Sequence, residues 1–264
     1  MSGMDQMLTN MSASASGTVN SPIFTITMVI FLILFLAGLI YAVFKMYEQK
    51  KPPVESIVLI AVLTAIAVVG RLILMSIPAV NMASFIIIMV GVVFGKEEGF
   101  IVGALTAFVS GLFMGMGYWV LFQMLAWGLM GASAGFLASR FENVGFRIVF
   151  GLIWGFLYGW ITDISAIFYS GTALEITPII ALYINGIGYD LTHGVTNAVL
   201  LVVLYDWFKK MFTRAKVKYL ADNSTESDSI SLSDWSFYFF LLWFFIISKS
   251  FYSLKLNLLL LIIF

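Results

Sequence analysis

One stretch of the chain concentrates side chains that could do chemistry. Between Asn185 and Asn197 it reads Asn-Gly-Ile-Gly-Tyr-Asp-Leu-Thr-His-Gly-Val-Thr-Asn. Asp190, His193 and Asn197 stand at i, i+3 and i+7, which puts them on one face of a helix. A carboxylate one turn from an imidazole can accept its N–H and fix its tautomer, and Asn197 adds two donors and an acceptor. Such a face serves either a bound solute or a hydrogen-bond ladder between helices. His193 is the only histidine and the chain has no cysteine, so no multi-histidine or thiolate metal site is expected.

A second cluster is Tyr118, Trp119, Gln123 and Trp127. Trp119, Gln123 and Trp127 follow one another at i, i+4 and i+8 and share a face. With Met114 and Met116 beside them they suit an aromatic pocket wall carrying one polar anchor. Tyr and Trp at a span end also make an interfacial belt. Arg71 and Asp163 are charges inside apolar runs, where a charge normally faces protein or a wet cavity. Arg71 is near enough to a span end to snorkel instead. Asp163 lies deeper, where it could pair with Arg71 or His193 or face a cavity. Asn81 completes the candidate solute contacts.

These residues need elements to hold them. Of the 264 residues, 61% are hydrophobic and 11% charged, whereas about a quarter of a soluble domain is charged. Several apolar runs reach the roughly 20 residues that cross a bilayer as a helix. The expected class is therefore all-α, a polytopic membrane helix bundle. Seven spans are expected: 22–44, 56–75, 82–94, 100–114, 119–138, 146–168 and 177–208. The third is short, so it is steeply packed or partly re-entrant; the seventh is long, with a kink expected at Gly186–Gly188. Pro52-Pro53 blocks helix continuation in the link before the second span.

Charge placement orients these spans. With the N-terminus outside, Lys45, Lys50, Lys51, Lys96, Arg140, Arg147, Lys209, Lys210, Arg214, Lys216 and Lys218 all fall inside, and Arg71 falls toward the outer end. Residues 1–21 are polar, carry no Lys or Arg, and read as a disordered tail rather than a cleaved signal. The division expected is 1–21 tail, 22–47 extra helix, 55–218 core, and 219–264 linker and atypical hydrophobic tail. That last segment has no glycine, and neither of its apolar runs, 235–247 and 256–264, reaches a full span. It is either an added anchor or a sequence appended to the common fold.

Glycines recur within the spans. Gly151, Gly155 and Gly159 repeat every fourth residue, and Ala61 and Ala65 make a similar small pair. Small residues let helices approach closely, within one bundle or against a partner helix. Net charge is zero, so no global field points to nucleic acid. Gly91-Val-Val-Phe-Gly95-Lys96 is one residue short of a phosphate loop, and Glu97 follows where Ser or Thr is needed. Active transport would therefore draw its energy from another subunit. An intramembrane enzyme using Asp190 and His193 lacks a second histidine, a carboxylate pair or a nucleophile. A passive channel or an assembly scaffold is the other alternative.

From Ala61 to Asn197 the chain resembles the substrate-binding S components of the energy-coupling factor importers. The resemblance is carried by Ala61-Val-Leu-Thr-Ala65 through Arg71, by Gly99 through Ser110, by Gln123 through Gly131, and by Tyr189 through Asn197. It implies a six-helix core, here preceded by one extra helix, in a bacterial cell membrane. It implies a vitamin-like solute held in a pocket open to the outside, with no cofactor. It implies as partners a transmembrane coupling subunit and two ATPases. It implies that Ala61 and Ala65 dock the coupling subunit and that the loaded subunit topples in the membrane. The subgroup it is most similar to is associated with cobalamin-like cargo. The loop Gly111–Leu121 departs from that subgroup, having apolar residues where its Asn, Gln and prolines stand.

Overall fold

A computed structural model describes residues 22–74, 77, 79–169 and 176–220. The tails expected at 1–21 and 221–264 lie outside the described residues. Eight α-helices follow one another: α1 Pro22–Gln49, α2 Val54–Ile73, α3 Met82–Phe94, α4 Lys96–Met114, α5 Trp119–Phe136, α6 Val144–Tyr169, α7 Ile176–Val203 and α8 Tyr205–Leu220. A 3-10 turn, Ala138–Glu142, joins α5 to α6. The described residues contain no strand, and the all-α membrane bundle expected from composition is what forms. Helices α2, α4, α5 and α6 are each long and apolar enough to cross a bilayer, and α7 with its bent continuation makes a fifth such unit.

α3 occupies the middle. It packs against α2, α4, α5, α7 and α8, and Ala83–Gly91 are all buried. Its 13 residues give a rod of about 20 Å, shorter than the hydrocarbon layer, so other helices must shield both ends. Asn81 starts it, its Oδ1 accepting the Ala83 N–H at 2.9 Å, which satisfies one of the orphan donors of the first turn. At the other end Gly95, at φ 134°, turns the chain directly into α4, a conformation only glycine takes readily.

Two helix pairs close to backbone contact. A methyl group on Gly131 of α5 would strike the backbone of Gly99 in α4. On α6, Gly151 faces Ala198, Gly155 faces Gly194 and Gly159 faces Asp190, all on α7. The every-fourth-residue glycines of α6 thus serve packing within the bundle.

The seventh expected span is divided. The helix runs without interruption through Gly186–Gly188 and ends at Val203, and α8 leaves at 68° to it. The bend falls at Leu204, where no proline or glycine stands. Backbone bonds persist across it: Leu204 N–H to Leu200 O at 2.9 Å and Phe208 N–H to Leu204 O at 3.0 Å. What turns α8 is packing: Phe208 meets Phe85 edge-on at 4.8 Å and Phe212 lies 5.8 Å from Phe94.

Basic residues gather at one end of the bundle. Lys50 pairs with Glu97 at 2.7 Å, Lys209 with Glu142, and Lys216 donates to Val93 O at 2.8 Å. Arg71, at the C-terminal end of α2, is at the other.

Candidate functional site

At the Arg71 end, α2, α5, α6, α7, the end of α4 and the link into α3 surround a cavity of about 300 Å³. Arg71, Gln123 and Asn81 give it polar groups, Tyr158, Thr162 and Tyr189 form its α6–α7 side, and Ile77, Ala79, Val80 and Met114 supply apolar wall. Buried Ala79 holds φ 62°, a left-handed conformation costly for a residue with a Cβ. A broader depression of about 460 Å³ lies at the basic end beside the 3-10 turn. Its lining, Ser139, Arg140, Glu142 and Asn143 among others, is mostly exposed, so it lacks the enclosure that burying a solute requires.

Arg71 organises the cavity wall. Its Nη1 donates to Ser110 Oγ, its Nη2 to Gln123 Oε1 at 3.3 Å, and its guanidinium lies 4.6 Å from the Trp127 ring centre. The Ser110 hydroxyl donates onward to Thr106 O at 2.6 Å, leaving its lone pair for the arginine. These partners are neutral, and among the described residues no carboxylate bonds to Arg71. A guanidinium has five N–H donors, so most remain for whatever enters.

Beneath this wall lies a relay within the core. Trp127 is fully buried, and its Nε1 donates to Ser84 Oγ at 3.0 Å. Ser84 Oγ stands 2.8 Å from His193 Nε2. The hydroxyl oxygen thus links the indole to the imidazole, and the tautomer of His193 sets which of the two donates in the second bond. The Tyr158 ring covers both partners, 5.2 Å from Trp127 and edge-on to His193 at 4.9 Å. Tyr158 therefore belongs to the cavity lining and to the layer below it.

The candidates from the sequence separate accordingly. Arg71, Gln123 and Asn81 line the cavity. Trp127 and His193 support it from below, and Trp127 is no member of an interfacial belt. Trp119 is 42% exposed, packed edge-on to Tyr118 at 5.4 Å, and forms no part of the lining. Asp190, His193 and Asn197 share the buried face expected, yet they form no ladder. His193 turns to Ser84 on α3, Asp190 lies against Gly159 on α6, and Asp190 Oδ2 and both Asn197 amide atoms lack a hydrogen-bond partner among the described residues. Asp163 bonds to neither Arg71 nor His193; its carboxylate lies near Gly186 of α7. The described residues contain no cluster of three or more metal-ligating side chains.

Sequence reading missed Ser84, Ser110, Tyr158, Thr162 and Tyr189. Ser84 had a signal, as the one hydroxyl in the run Met82–Phe94. Tyr158 and Thr162 had another, at i and i+4 on the span that carries Asp163.

A helical membrane bundle with a partly open polar cavity at one end, and no nucleotide-binding loop in its sequence, has the make-up of a solute-binding membrane protein. The model of the family described as "ECF-type riboflavin transporter, S component" matches residues 51–210. That is more than half of the chain, and the protein belongs to this family of energy-coupling factor S components. The match spans α2 to α7 and the start of α8, and α1 lies before it. No curated protein and no solved structure matches the chain.

Proposed function

We propose that the cavity at Arg71 captures a flavin, riboflavin or a close relative, for import by an energy-coupling factor complex. S components work with a module of transmembrane and ATPase subunits, and the family is one of transporter components rather than enzymes. The observation that carries the flavin reading is the cavity itself. About 300 Å³ lies at the lower end of small-molecule pockets, roughly 300–1,000 Å³. It suits a tricyclic ring system better than a corrinoid, and the family's name points to riboflavin rather than to the cobalamin-like cargo inferred from the subgroup. Tyr158 and Tyr189 offer aromatic surface, and Arg71, Gln123 and Asn81 offer donors to ring carbonyls and hydroxyls.

The basic end faces inward under the positive-inside rule, which puts the cavity and the N-terminus outside. Ala61 and Ala65 are exposed on α2, beside exposed Val58, Val62 and Val69. This apolar face with small residues at its centre suits docking of the coupling helix.

Titration of the purified protein with riboflavin, followed by quenching of flavin fluorescence, tests the cargo. Saturable one-to-one quenching is expected. Saturable binding of cobalamin with none of riboflavin would sink the proposal. Ala61→Leu should leave this titration unchanged while stopping uptake in cells that carry the full complex. Gln123→Ala should weaken it.

A further inference from the structure

α8 has two faces of different kinds. One is packed on the bundle through Phe208 and Phe212. The other has no described part of the chain against it: Trp207 is 62% and Val217 61% exposed. Lys210 and Arg214 stand one turn apart on this face, exposed and bonded to no described group. Across its 16 residues α8 carries Lys209, Lys210, Arg214, Lys216 and Lys218 against one acid, Asp206. Asp206 leans toward Arg147, 3.4 Å away. The chain as a whole is neutral, so this surplus is local.

A face that mixes Trp207 and Val217 with Lys210 and Arg214 suits neither bulk water nor hydrocarbon. The headgroup layer satisfies both kinds, taking indole and aliphatic groups inward and cations at the phosphates. The direction of α8 agrees. Spans tilt about 20° on average, so a helix bent 68° from α7 runs nearer the membrane plane than its normal. It does so at the end where the other basic residues collect, the side that anionic lipid makes negative.

We propose that the outer face of α8 is a binding surface for anionic phospholipid, with Lys210 and Arg214 on the headgroup phosphates and Trp207 seated among the acyl chain ends. This role is separate from solute capture and does not rest on the identity of the cargo.

The test uses the full chain reconstituted with equal amounts of phosphatidylglycerol and phosphatidylcholine, with retained lipids counted by native mass spectrometry. Wild type should retain phosphatidylglycerol in excess. The double variant Lys210→Gln/Arg214→Gln should lower that excess by about fivefold per charge removed, with its melting temperature in detergent unchanged. Lys50→Gln/Lys51→Gln, at the same end but off α8, should leave it in place. An unchanged ratio in the α8 variant, or an equal fall in both variants, would overturn the proposal. So would loss of coupling-subunit copurification with the lipid ratio intact, which would assign the face to a protein. Brominated lipids give a second reading that needs no charge variant. They should quench wild-type fluorescence more than that of Trp207→Phe, and equal quenching would also overturn the proposal.

Discussion

Each end of the bundle holds an arginine over an aromatic ring, and the two are surrounded differently. Arg147, at the basic end, is 4% exposed and lies 3.6 Å from the Tyr205 ring centre. Its Nε donates to Phe141 O at 2.5 Å, and its Nη2 reaches Asp206. It therefore ties the 3-10 turn, the start of α6 and the bend before α8 into one cluster. Arg71, at the cavity, rests on Trp127 with a serine and a glutamine for partners and no carboxylate among the described residues. The first guanidinium is closed off from solvent, with two hydrogen bonds to its own protein. The second also makes two hydrogen bonds, and it is half-buried on the wall of the cavity. The number of hydrogen bonds is the same, and what separates the two is their surroundings: packed protein and a carboxylate around Arg147, a cavity beside Arg71 that makes it the candidate for a site.

Exchanging the two roles by mutation should separate stability from binding. Arg147→Ala orphans the Phe141 carbonyl and removes the guanidinium from Tyr205. Exposed Asp206 adds little, and the expected loss is about 3 kcal/mol of stability, seen as a lower melting temperature in detergent with flavin affinity unchanged in the folded fraction. Arg71→Ala should do the reverse, weakening flavin binding about 100-fold, about 2.7 kcal/mol, with little change in melting. If Arg71→Ala melts as early as Arg147→Ala and binds normally, the comparison fails.

Smaller changes sharpen the contrast. Ser84→Ala leaves a buried indole N–H and the His193 ring nitrogen without partners, at about 1–3 kcal/mol. It should lower the melting temperature and weaken binding only as far as Trp127 shifts under Arg71. Arg71→Lys keeps the charge and loses the planar fork, so an affinity about 10-fold below wild type is expected. Trp119→Ala should change affinity by less than about twofold, because the ring lies outside the lining. A large loss there would move the site outward along α5.

Hydropathy made the bundle legible, since a bilayer forces long apolar helices. Basic residues marked one end, and the glycine spacing of α6 announced a close neighbour. Periodicity also put Asp190, His193 and Asn197 on one face. It could not say which helix that face meets, because the neighbours, α3 and α6, are set by packing far along the chain. For the same reason Ser84, a single hydroxyl among apolar residues, became the partner of both Trp127 and His193 only once α3, α5 and α7 were assembled. Asp163 has the opposite history: its depth suggested an ion pair or a cavity, and the fold sets its carboxylate beside Gly186 of α7. The bend at Leu204 has no local signature. It follows from Phe208 and Phe212 finding α3, whereas the glycines at 186 and 188, the more obvious hinge, sit in an unbroken helix.

α3 has one consequence of a mechanical kind. The link that leads into it, through Ile77, Ala79, Val80 and the capping Asn81, forms a wall of the cavity, and its last turn receives Phe212 and the Lys216 ammonium. Between these ends it is a buried, close-packed rod that cannot flex independently of its neighbours. A solute pressing on residues 77–81 should therefore be felt at the far side of the membrane as a push on α8. Hydrogen exchange at the 205–212 amides, compared with and without riboflavin, measures that stroke. Identical exchange in the two states would mean that the rod stands still.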